Sequence, residues 1–346
     1  MAVTIRDVAL AAGVSPMAVS KALHGKGSNV RVSPETAELI RKTAKELRYT
    51  PNSVARHLRR GKTRTIGLIF EQFGRLASGS QYFVHLLDGV TAAAFEAGYS
   101  LTICPKVIRG DVWGTLGDGR FDGVIWAKFS SEPNTVQELE HTRMPVVMLH
   151  APAPAERSKK VNYVCCDNRQ ALGLAVRHLA LLGHRRIGFV YDLANAYSDE
   201  FRDRRDGFFA ACAEEEIRCS EADCIGLTIE GDGFEEWWRG SPDQTALILM
   251  TETLAGPIYA RAAKLSISIP ERLSIVGFDS TQYCDMLLPR LTAISQPIQQ
   301  MAERATEVLI DWIEGRCGAA QCLVYPCGLD IRDSTVRPAF NAEVNL

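Results

Sequence analysis

Residues 4–23, TIRDVALAAGVSPMAVSKAL, constrain the fold of this chain most, because they have the pattern of two short helices joined by a glycine turn. Thr4 suits the N-cap of the first helix, with an acidic residue three positions on, and Gly13 supplies the backbone freedom of a tight turn. Ser15 and Pro16 are typical of the N-cap and first position of the second helix. Helix–turn–helix units of this kind place their second helix in the major groove of DNA. An αα-hairpin inside a larger core is the alternative.

A third helix and a concentration of positive charge follow. Ser33 and Pro34 repeat the start signal, and apolar residues at helical spacing continue to Leu47. The first 62 residues contain twelve Lys and Arg against four Asp and Glu, whereas the rest of the chain is net negative by ten. A basic end on an acidic body favours contact with a phosphate backbone. A solvated charged face is the alternative for three basic residues of the third helix, Arg41, Lys42 and Lys45.

Motifs along the whole chain resemble those of the LacI/GalR-type family of bacterial transcription regulators. TIRDVALAAGVS, the Val-Ser start of the third helix, LRYTPNSVARHLRR and TIGLIF match family motifs in order. DNRQALGLAVRHLALLGHRRIGFV, RRDGF, IPERLSIVGFDS and LTAISQP match motifs of the body in the same family. The resemblance implies an all-α helix-turn-helix headpiece joined by a hinge helix to a two-lobed α/β periplasmic-binding-protein-like effector domain.

The resemblance also implies domain boundaries. The headpiece is expected at residues 1–50, the hinge helix at 51–61 and the effector-binding and dimerisation domain at 62–340. Each lobe is expected to combine two segments, about 63–162 with 293–324 for lobe 1 and about 163–292 with 325–340 for lobe 2. Independently of the resemblance, short apolar runs alternate with helical segments in the body, which favours parallel sheets with crossover helices. Such sheets bind ligands at the carboxyl ends of their strands.

The expected base contacts lie on the second helix. In the family its early positions meet base edges, and they correspond here to Pro16, Met17, Ser20 and Lys21. Pro16 and Met17 offer only apolar contact, best to a thymine methyl, whereas Lys21 can reach guanine acceptors. Where the family usually has Thr this chain has Ala18, so one hydroxyl that positions the backbone is expected to be missing. The predicted DNA-binding residues are Thr4, Ser15, Pro16, Met17, Ser20, Lys21, Arg31, Asn52, Ala55 and Leu58.

The hinge and the loop before the third helix are expected to add contacts. In the family a hinge leucine, Leu58 here, wedges between base pairs and opens the minor groove. The hinge segment is shorter than an isolated helix needs in water, so it is expected to become helical when two copies pair on DNA. Packing of Leu58 against the body is the alternative. Arg31 lies in a loop at 24–32 that is longer than usual. Two interpretations of this loop are left open, a phosphate contact by Arg31 and a loop without a DNA contact.

Effector-binding residues are carried over only where the motifs match. Arg204, in R-x-x-G-F, is expected to donate paired hydrogen bonds to sugar hydroxyls or a carboxylate, and Asp279, in GFD, is expected to accept from hydroxyls. Glu252 stands where the family commonly has Asp, so the pocket is expected to differ in shape. Aromatic rings near the cleft can stack on the apolar face of a sugar, with core packing as the alternative. The aromatic candidates are Tyr82, Phe83 and Trp126.

One segment departs from the family pattern. Between Tyr99 and Phe121 the family has a full helix, whereas this chain has a shorter stretch with four glycines. An intact helix is therefore not expected there, and any cleft contacts made by residues 105–120 are left open. GTLGDG is not interpreted as a phosphate loop, because it neither follows a clear strand nor opens a clear helix.

No motif points to catalysis, a metal or a cofactor. The ten cysteines lack C-x-x-C spacing, so buried or incidental thiols are expected. His184 follows a helix-stop glycine, which favours a role at the helix end over acid–base chemistry. The N-terminus has no export signal and no segment reaches 18 apolar residues, so we expect a cytoplasmic protein that does not contact a membrane.

These observations predict a DNA-binding homodimer rather than an enzyme, acting as a repressor of carbohydrate-related genes with a sugar-like effector between two lobes. Two identical headpieces imply a roughly palindromic double-stranded operator. The residues after Pro338 are too few for the leucine-heptad tail that makes some relatives tetramers. An activator, or a regulator that responds to a non-sugar ligand such as a nucleobase, is the first alternative. A solute-binding protein or a sugar-acting enzyme is the second.

Overall fold

The chain divides into two compact units, Met1–Thr63 and Arg64–Leu346. The computed structural model describes residues 3–24, 30–50, 62–70, 81–104, 119–127, 144–150, 161–196, 198–228, 233–241, 243–316 and 318–339. The predicted hinge with Asn52, Ala55 and Leu58, and nearly all of the glycine-containing segment 105–120, lie outside these ranges. Within them, no helix is both long enough and apolar enough to cross a membrane.

The smaller unit is a three-helix bundle that the capping residues delimit. Its helices are α1 Ile5–Ala11, α2 Pro16–His24 and α3 Pro34–Glu46. The Asp7 carboxylate accepts the Thr4 N–H at 2.7 Å, and Ser15 Oγ accepts the Ala18 N–H at 3.2 Å. Ser33 caps α3 in the same way, so each predicted helix start is confirmed. One buried apolar cluster holds the bundle together, formed by Val8, Ala9, Ala18, Val19, Ile40 and Ala44.

The larger unit alternates strands with helices, as the spacing of its apolar runs predicts. Its elements are β1 Thr65–Phe70, α4 Gln81–Glu96, β2 Ser100–Cys104, β3 Gly123–Ala127, β4 Val146–Leu149, β5 Asn162–Cys166, α5 Asn168–Leu182, β6 Ile187–Asp192, α6 Asp199–Glu214, β7 Cys224–Leu227, α7 Gly233–Gly240, β8 Ala246–Leu249, α8 Ala255–Lys264, β9 Ser274–Phe278, α9 Gln282–Met286, β10 Thr292–Ser295, α10 Ile298–Ile313, β11 Cys322–Tyr325 and β12 Gly328–Asp330.

These strands form two six-stranded sheets. The first has the order β11-β5-β4-β3-β1-β2 and is parallel throughout. The second has the order β12-β10-β9-β8-β6-β7, in which only the pair of β10 and β12 is antiparallel. Two sheets of the same build, each covered by helices, give the two-lobed α/β body that the sequence predicts.

The chain passes between the sheets along three adjacent segments. It leaves the first sheet after Cys166, returns to it between Ser295 and Cys322, and leaves it again after Tyr325. Two of these segments are tied together, because the Asp167 N–H donates to the Tyr325 carbonyl at 2.8 Å. The lobe boundaries near residues 163, 292 and 325 stay predictions, although β5 and β10 each run a few residues beyond the predicted crossing.

Close helix packing depends on two glycines. A Cβ at Gly89 of α4 would lie 2.3 Å from the Gln299 carbonyl oxygen of α10. A Cβ at Gly207 of α6 would lie 3.0 Å from the Arg169 Cα of α5. Gly207 belongs to the R-x-x-G-F motif, so the motif glycine brings α6 against α5 and thereby fixes the position of Arg204.

Candidate nucleic-acid interface and ligand site

The second helix of the bundle presents two different faces. Ala18 and Val19 are buried in the apolar cluster, whereas Pro16 is exposed and Met17 is 56 % exposed despite its apolar side chain. An exposed methionine next to an N-cap has no role in the core of the bundle. Ser20 and Lys21 lie half-buried on the same side, one turn further along.

The other predicted DNA contacts in the bundle divide into helix caps and exposed positions. The Thr4 hydroxyl donates to Asp7 at 2.7 Å, and Ser15 Oγ is the N-cap acceptor of α2. Both residues are exposed, and their DNA contacts stay predictions. Arg31 is exposed as well.

In the larger unit, polar side chains from both sheets meet where their strands end. Tyr82 lies in the first turn of α4, His150 follows β4, and Cys166 ends β5 in the first sheet. Arg204 of α6 and Asp279, which follows β9, come from the second sheet. Burial raises the pKa of Tyr82. That pKa is also altered by the charges of Glu200, Asp279, Arg204 and Cys166, so these groups interact electrostatically. We name this group the inter-lobe cluster; it comprises Tyr82, His150, Cys166, Glu200, Arg204, Glu252, Asp279 and Gln296.

Arg204 is the buried cation of the inter-lobe cluster, and its guanidinium is largely committed to the protein. Its Nε donates to Asn168 Oδ1 at 3.0 Å, and one terminal nitrogen donates to the Met250 carbonyl at 2.6 Å. The face of the guanidinium lies 3.6 Å from the ring centroid of Phe278. Arg204 is 3 % exposed. A ligand can therefore use only the remaining edge of the guanidinium.

Asp279 is oriented by its backbone and by Gln296. Its φ of 71° is left-handed, a conformation that Asp tolerates better than most residues, at the end of β9. Gln296 Nε2 donates to the Asp279 carboxylate. Burial raises the pKa of Asp279, while Arg204 and Gln296 act in the opposite direction. Gln296 Oε1 is buried without a hydrogen-bond partner in the described part of the chain.

The Glu252 carboxylate forms its hydrogen bonds with residues of its own lobe rather than facing the other lobe. Its carboxylate accepts the Thr281 hydroxyl at 2.7 Å and the Thr281 N–H at 3.2 Å. The Cys284 thiol lies 3.4 Å from the same carboxylate. Burial and the nearby Asp279 raise the pKa of Glu252 to about 7. Glu252, one of the predicted effector-binding residues, therefore anchors the start of α9 through Thr281.

Two members of the inter-lobe cluster were not predicted. Glu200 is buried in the first turn of α6, and its nearest cation atom is Arg204 Nη2 at 3.9 Å. His150 is 2 % exposed, and its Nε2 has no hydrogen-bond partner among the described residues. Burial raises the pKa of Glu200 to about 7, and burial together with the Arg204 charge lowers the pKa of His150 to about 3. His150 is therefore neutral, and Glu200 is near its midpoint, at neutral pH.

The predicted aromatic residues do not all reach this cluster. The Tyr82 ring lies 5.2 Å from the rings of both Phe83 and His150, so Tyr82 and Phe83 lie beside the cluster. Trp126 lies in a separate apolar cluster with Ile69 and Met148. Strand alternation places Trp126 on the opposite face of the first sheet from its neighbour Ile125, which belongs to the same large apolar cluster as Tyr82. This placement favours core packing, the alternative left open for Trp126, over contact with a ligand.

His184 and the cysteines have structural surroundings. His184 Nδ1 and Nε2 lie 2.9 Å from Thr245 Oγ1 and the Val336 carbonyl, so this histidine links the end of α5 to the C-terminal segment. None of the nine described cysteines forms a disulfide with another of them. The described ranges contain no group of three His, Cys, Asp or Glu side chains that could hold a metal ion.

Comparison with known proteins agrees with this architecture. The sequence profile of bacterial regulatory proteins of the lacI family matches residues 4–52, and that of the periplasmic binding protein-like domain matches residues 176–335. The HTH-type transcriptional repressor PurR of Vibrio vulnificus is 28 % identical over 90 % of this chain and 92 % of its own length.

Two solved structures share the whole fold. A lac repressor dimer bound to operator and the anti-inducer ONPF superposes with a TM-score of 0.79 at 22 % identity, covering 97 % of this chain and 100 % of that one. A CelR–cellobiose complex gives a TM-score of 0.72 at 23 % identity, covering 96 % and 99 %.

The helix–turn–helix bundle and the two-lobed α/β body together define a transcriptional regulator with an effector-binding domain. The chain belongs to the lacI family of bacterial regulatory proteins. Its relatives are transcriptional regulators, in agreement with the prediction that it is not an enzyme.

Proposed function

We propose that this chain is a homodimeric, cytoplasmic repressor that binds a roughly palindromic operator and is controlled by a carbohydrate-like effector between its lobes. The observation that carries the proposal is the inter-lobe cluster, in which buried polar side chains from both sheets meet at the carboxyl ends of their strands. A ligand bound there contacts both lobes, so it favours one lobe arrangement over another.

The DNA side of the proposal rests on the bundle and on charge. The exposed Met17 and the half-buried Lys21 occupy one side of α2, and the first 62 residues carry a net charge of plus eight. Dimeric helix–turn–helix proteins read two half-sites, which supports a palindromic target. We retain Asn52, Ala55 and Leu58 as hinge contacts, with Leu58 as the minor-groove wedge.

The sugar-like effector is supported by hydroxyl-accepting groups in the cluster and by one structural relative. Asp279 and Gln296 Oε1 offer acceptor oxygens, and the Tyr82 ring lies beside them. CelR, a transcriptional regulator of the same fold, forms a complex with the sugar cellobiose. A regulator that responds to a different ligand class remains the alternative.

A deletion separates the two activities. The full chain and a variant that lacks residues 1–61 are compared for binding to a random duplex pool and for thermal stabilisation by a panel of neutral and amino sugars. Because the chain divides near Thr63 into two compact units, we expect the deletion to abolish DNA binding and to leave the stabilisation intact. Loss of both properties, or retained DNA binding, contradicts the proposal.

A further inference from the structure

Glu200 is a buried carboxylate that the fold leaves without a hydrogen-bonding cation. It lies in the first turn of α6, and no hydrogen bond to its carboxylate is formed within the described ranges. Arg204, one turn away, directs its Nε to Asn168 and a terminal nitrogen to Met250, and its closest approach to Glu200 is 3.9 Å. A buried carboxylate without such donors is unfavourable.

A second acceptor lies beside Asp279, whose charge acts on Glu200. Gln296 Oε1 is a buried carbonyl oxygen without a partner in the described residues, whereas the amide nitrogen of the same side chain donates to Asp279. His150 Nε2 is likewise buried and unpartnered, on a ring that burial and Arg204 keep neutral. Gln296 is 8 % exposed and His150 is 2 % exposed, so neither group obtains its missing hydrogen bond from bulk water.

The charges of the inter-lobe cluster are unequal. Two carboxyl groups, Glu200 and Asp279, share a single described cation, Arg204, which lowers the pKa of both, and Glu252 adds a third carboxyl group beside Asp279. Burial raises the pKa of each carboxyl group and so disfavours its charged form. The pKa of Glu200 is shifted by Arg204 and Asp203 on its own helix and by Asp279, which follows β9. Glu200 in turn shifts the pKa of Tyr82 in α4 and that of Cys166 in β5.

We propose that the effector carries an ammonium group on a hydroxylated framework, as an amino sugar does, and that this group binds the Glu200 carboxylate with Gln296 Oε1 as a second acceptor. The inference rests on the proposed function, because it assigns a ligand class to the same cleft. An ammonium group has three donors and no acceptor, which matches the unsatisfied acceptors. Its positive charge replaces the proton that Glu200 binds in the empty protein.

Matched ligand triplets test this assignment with the full chain. Glucosamine, galactosamine and mannosamine are each compared with the parent neutral sugar and with the N-acetyl sugar, in which the charge is removed. Calorimetric titration at neutral pH is expected to show at least one amine binding about tenfold tighter than both of its uncharged counterparts. That preference should weaken roughly fivefold to tenfold toward pH 6, as Glu200 becomes protonated.

Two variants assign the effect to one side chain. Glu200→Gln keeps the shape and removes the charge, and we expect it to lose the preference for the amine. Glu214→Gln removes an exposed charge from the same helix, and we expect it to retain that preference.

Several results overturn the amine assignment. They are tighter binding of the neutral or N-acetyl sugar, no binding by any amine of the panel at millimolar concentration, and an unchanged amine preference in Glu200→Gln. If a neutral sugar binds and alters operator affinity, the ligand class is wrong but the proposed function stands. If neither DNA nor any sugar binds, the proposed function fails as well.

Discussion

Glu200 and Arg204 lie one turn apart on α6, yet their nearest carboxylate and guanidinium atoms are 3.9 Å apart. Arg204 is held by Asn168, by the Met250 carbonyl and by the ring of Phe278, so it cannot close on Glu200 without losing these contacts. The inter-lobe cluster thus contains a carboxyl group whose surroundings disfavour its charged form. Such groups at binding sites lower the stability of the unliganded protein.

Glu200→Gln is expected to stabilise the unliganded protein at alkaline pH. The folded-state pKa of Glu200 is raised from 4.5 to about 7, so the stability that its protonation contributes is lost as the pH rises through this window. At about pH 8 the variant should gain roughly 2 kcal/mol in the free energy of unfolding, and near pH 4 the difference should vanish. Urea unfolding at both pH values measures this, with Glu214→Gln as the unchanged control. A variant less stable than the parent at pH 8 would show that Glu200 is structurally favourable.

Gly89→Ala is expected to destabilise the first lobe. The added Cβ would lie 2.3 Å from the Gln299 carbonyl oxygen of α10, and both partners are helix backbone that cannot move independently. We expect a loss of about 2–3 kcal/mol or more in the free energy of unfolding. Gly173→Ala is the matched control, because Gly173 lies in α5 and, among the described residues outside its own stretch of helix, no heavy atom comes within 4 Å of the position that its Cβ would take. This control should gain about 0.5–1 kcal/mol. Equal effects of the two substitutions would contradict the close packing of α4 and α10.

His184→Ala is expected to loosen the C-terminal segment. Both ring nitrogens have partners at 2.9 Å, Thr245 Oγ1 and the Val336 carbonyl, and the side chain is 1 % exposed. The substitution leaves a cavity and removes both hydrogen bonds, so we expect a loss of about 2–4 kcal/mol. Hydrogen exchange should become faster at residues 334–336. His85→Ala, on a half-buried position of α4, should change stability by less than about 1 kcal/mol. Unchanged exchange in His184→Ala would argue against the link.

Met17 and Val19 separate DNA recognition from folding of the bundle. Met17 is 56 % exposed, whereas Val19 is fully buried in the apolar cluster. Met17→Ala should leave the helical content intact and relax the preference at one base pair in each operator half-site, by about 1 kcal/mol. Val19→Ala should destabilise the bundle by roughly 1–3 kcal/mol and weaken binding to all sequences alike. Binding to single-base operator variants, with circular dichroism, distinguishes the two. An unchanged base preference in Met17→Ala would remove this residue from the predicted interface.

Local signals made much of the fold predictable. Thr4, Ser33 and Asp167 start helices through side-chain hydrogen bonds with residues three positions away, and Gly183 ends α5 with a φ of 100°. Strands such as β1 and β9 are continuous apolar runs buried on both faces, which are evident in sequence. The edge strands β7, β11 and β12 have weaker sequence signals, because they are short, only partly buried and defined by pairing with distant segments.

The inter-lobe cluster was only partly predictable, for reasons of geometry. Arg204 and Asp279 lie in motifs, so the resemblance led to them. Glu200 looks like an ordinary acidic residue in the first turn of a helix, where negative charge is favourable, and only tertiary packing shows that it is buried. Gln296 carries a usable signal, because it directly follows β10, as Asp279 directly follows β9. For Trp126 the contact with a ligand stays a prediction, while strand alternation and its clustering with Val124 favour core packing.

Selection of bound duplexes from a random DNA pool by the full chain, at moderate salt and with or without the sugar panel, tests the central claim most directly. A sequence-specific dimeric regulator should enrich a palindrome with two similar half-sites and a flexible pyrimidine–purine step at its centre, where the hinge is proposed to insert Leu58. Enrichment of such a palindrome is the result that we predict. If no sequence is enriched under either condition, the bundle is not a specific reader of DNA and the account is contradicted.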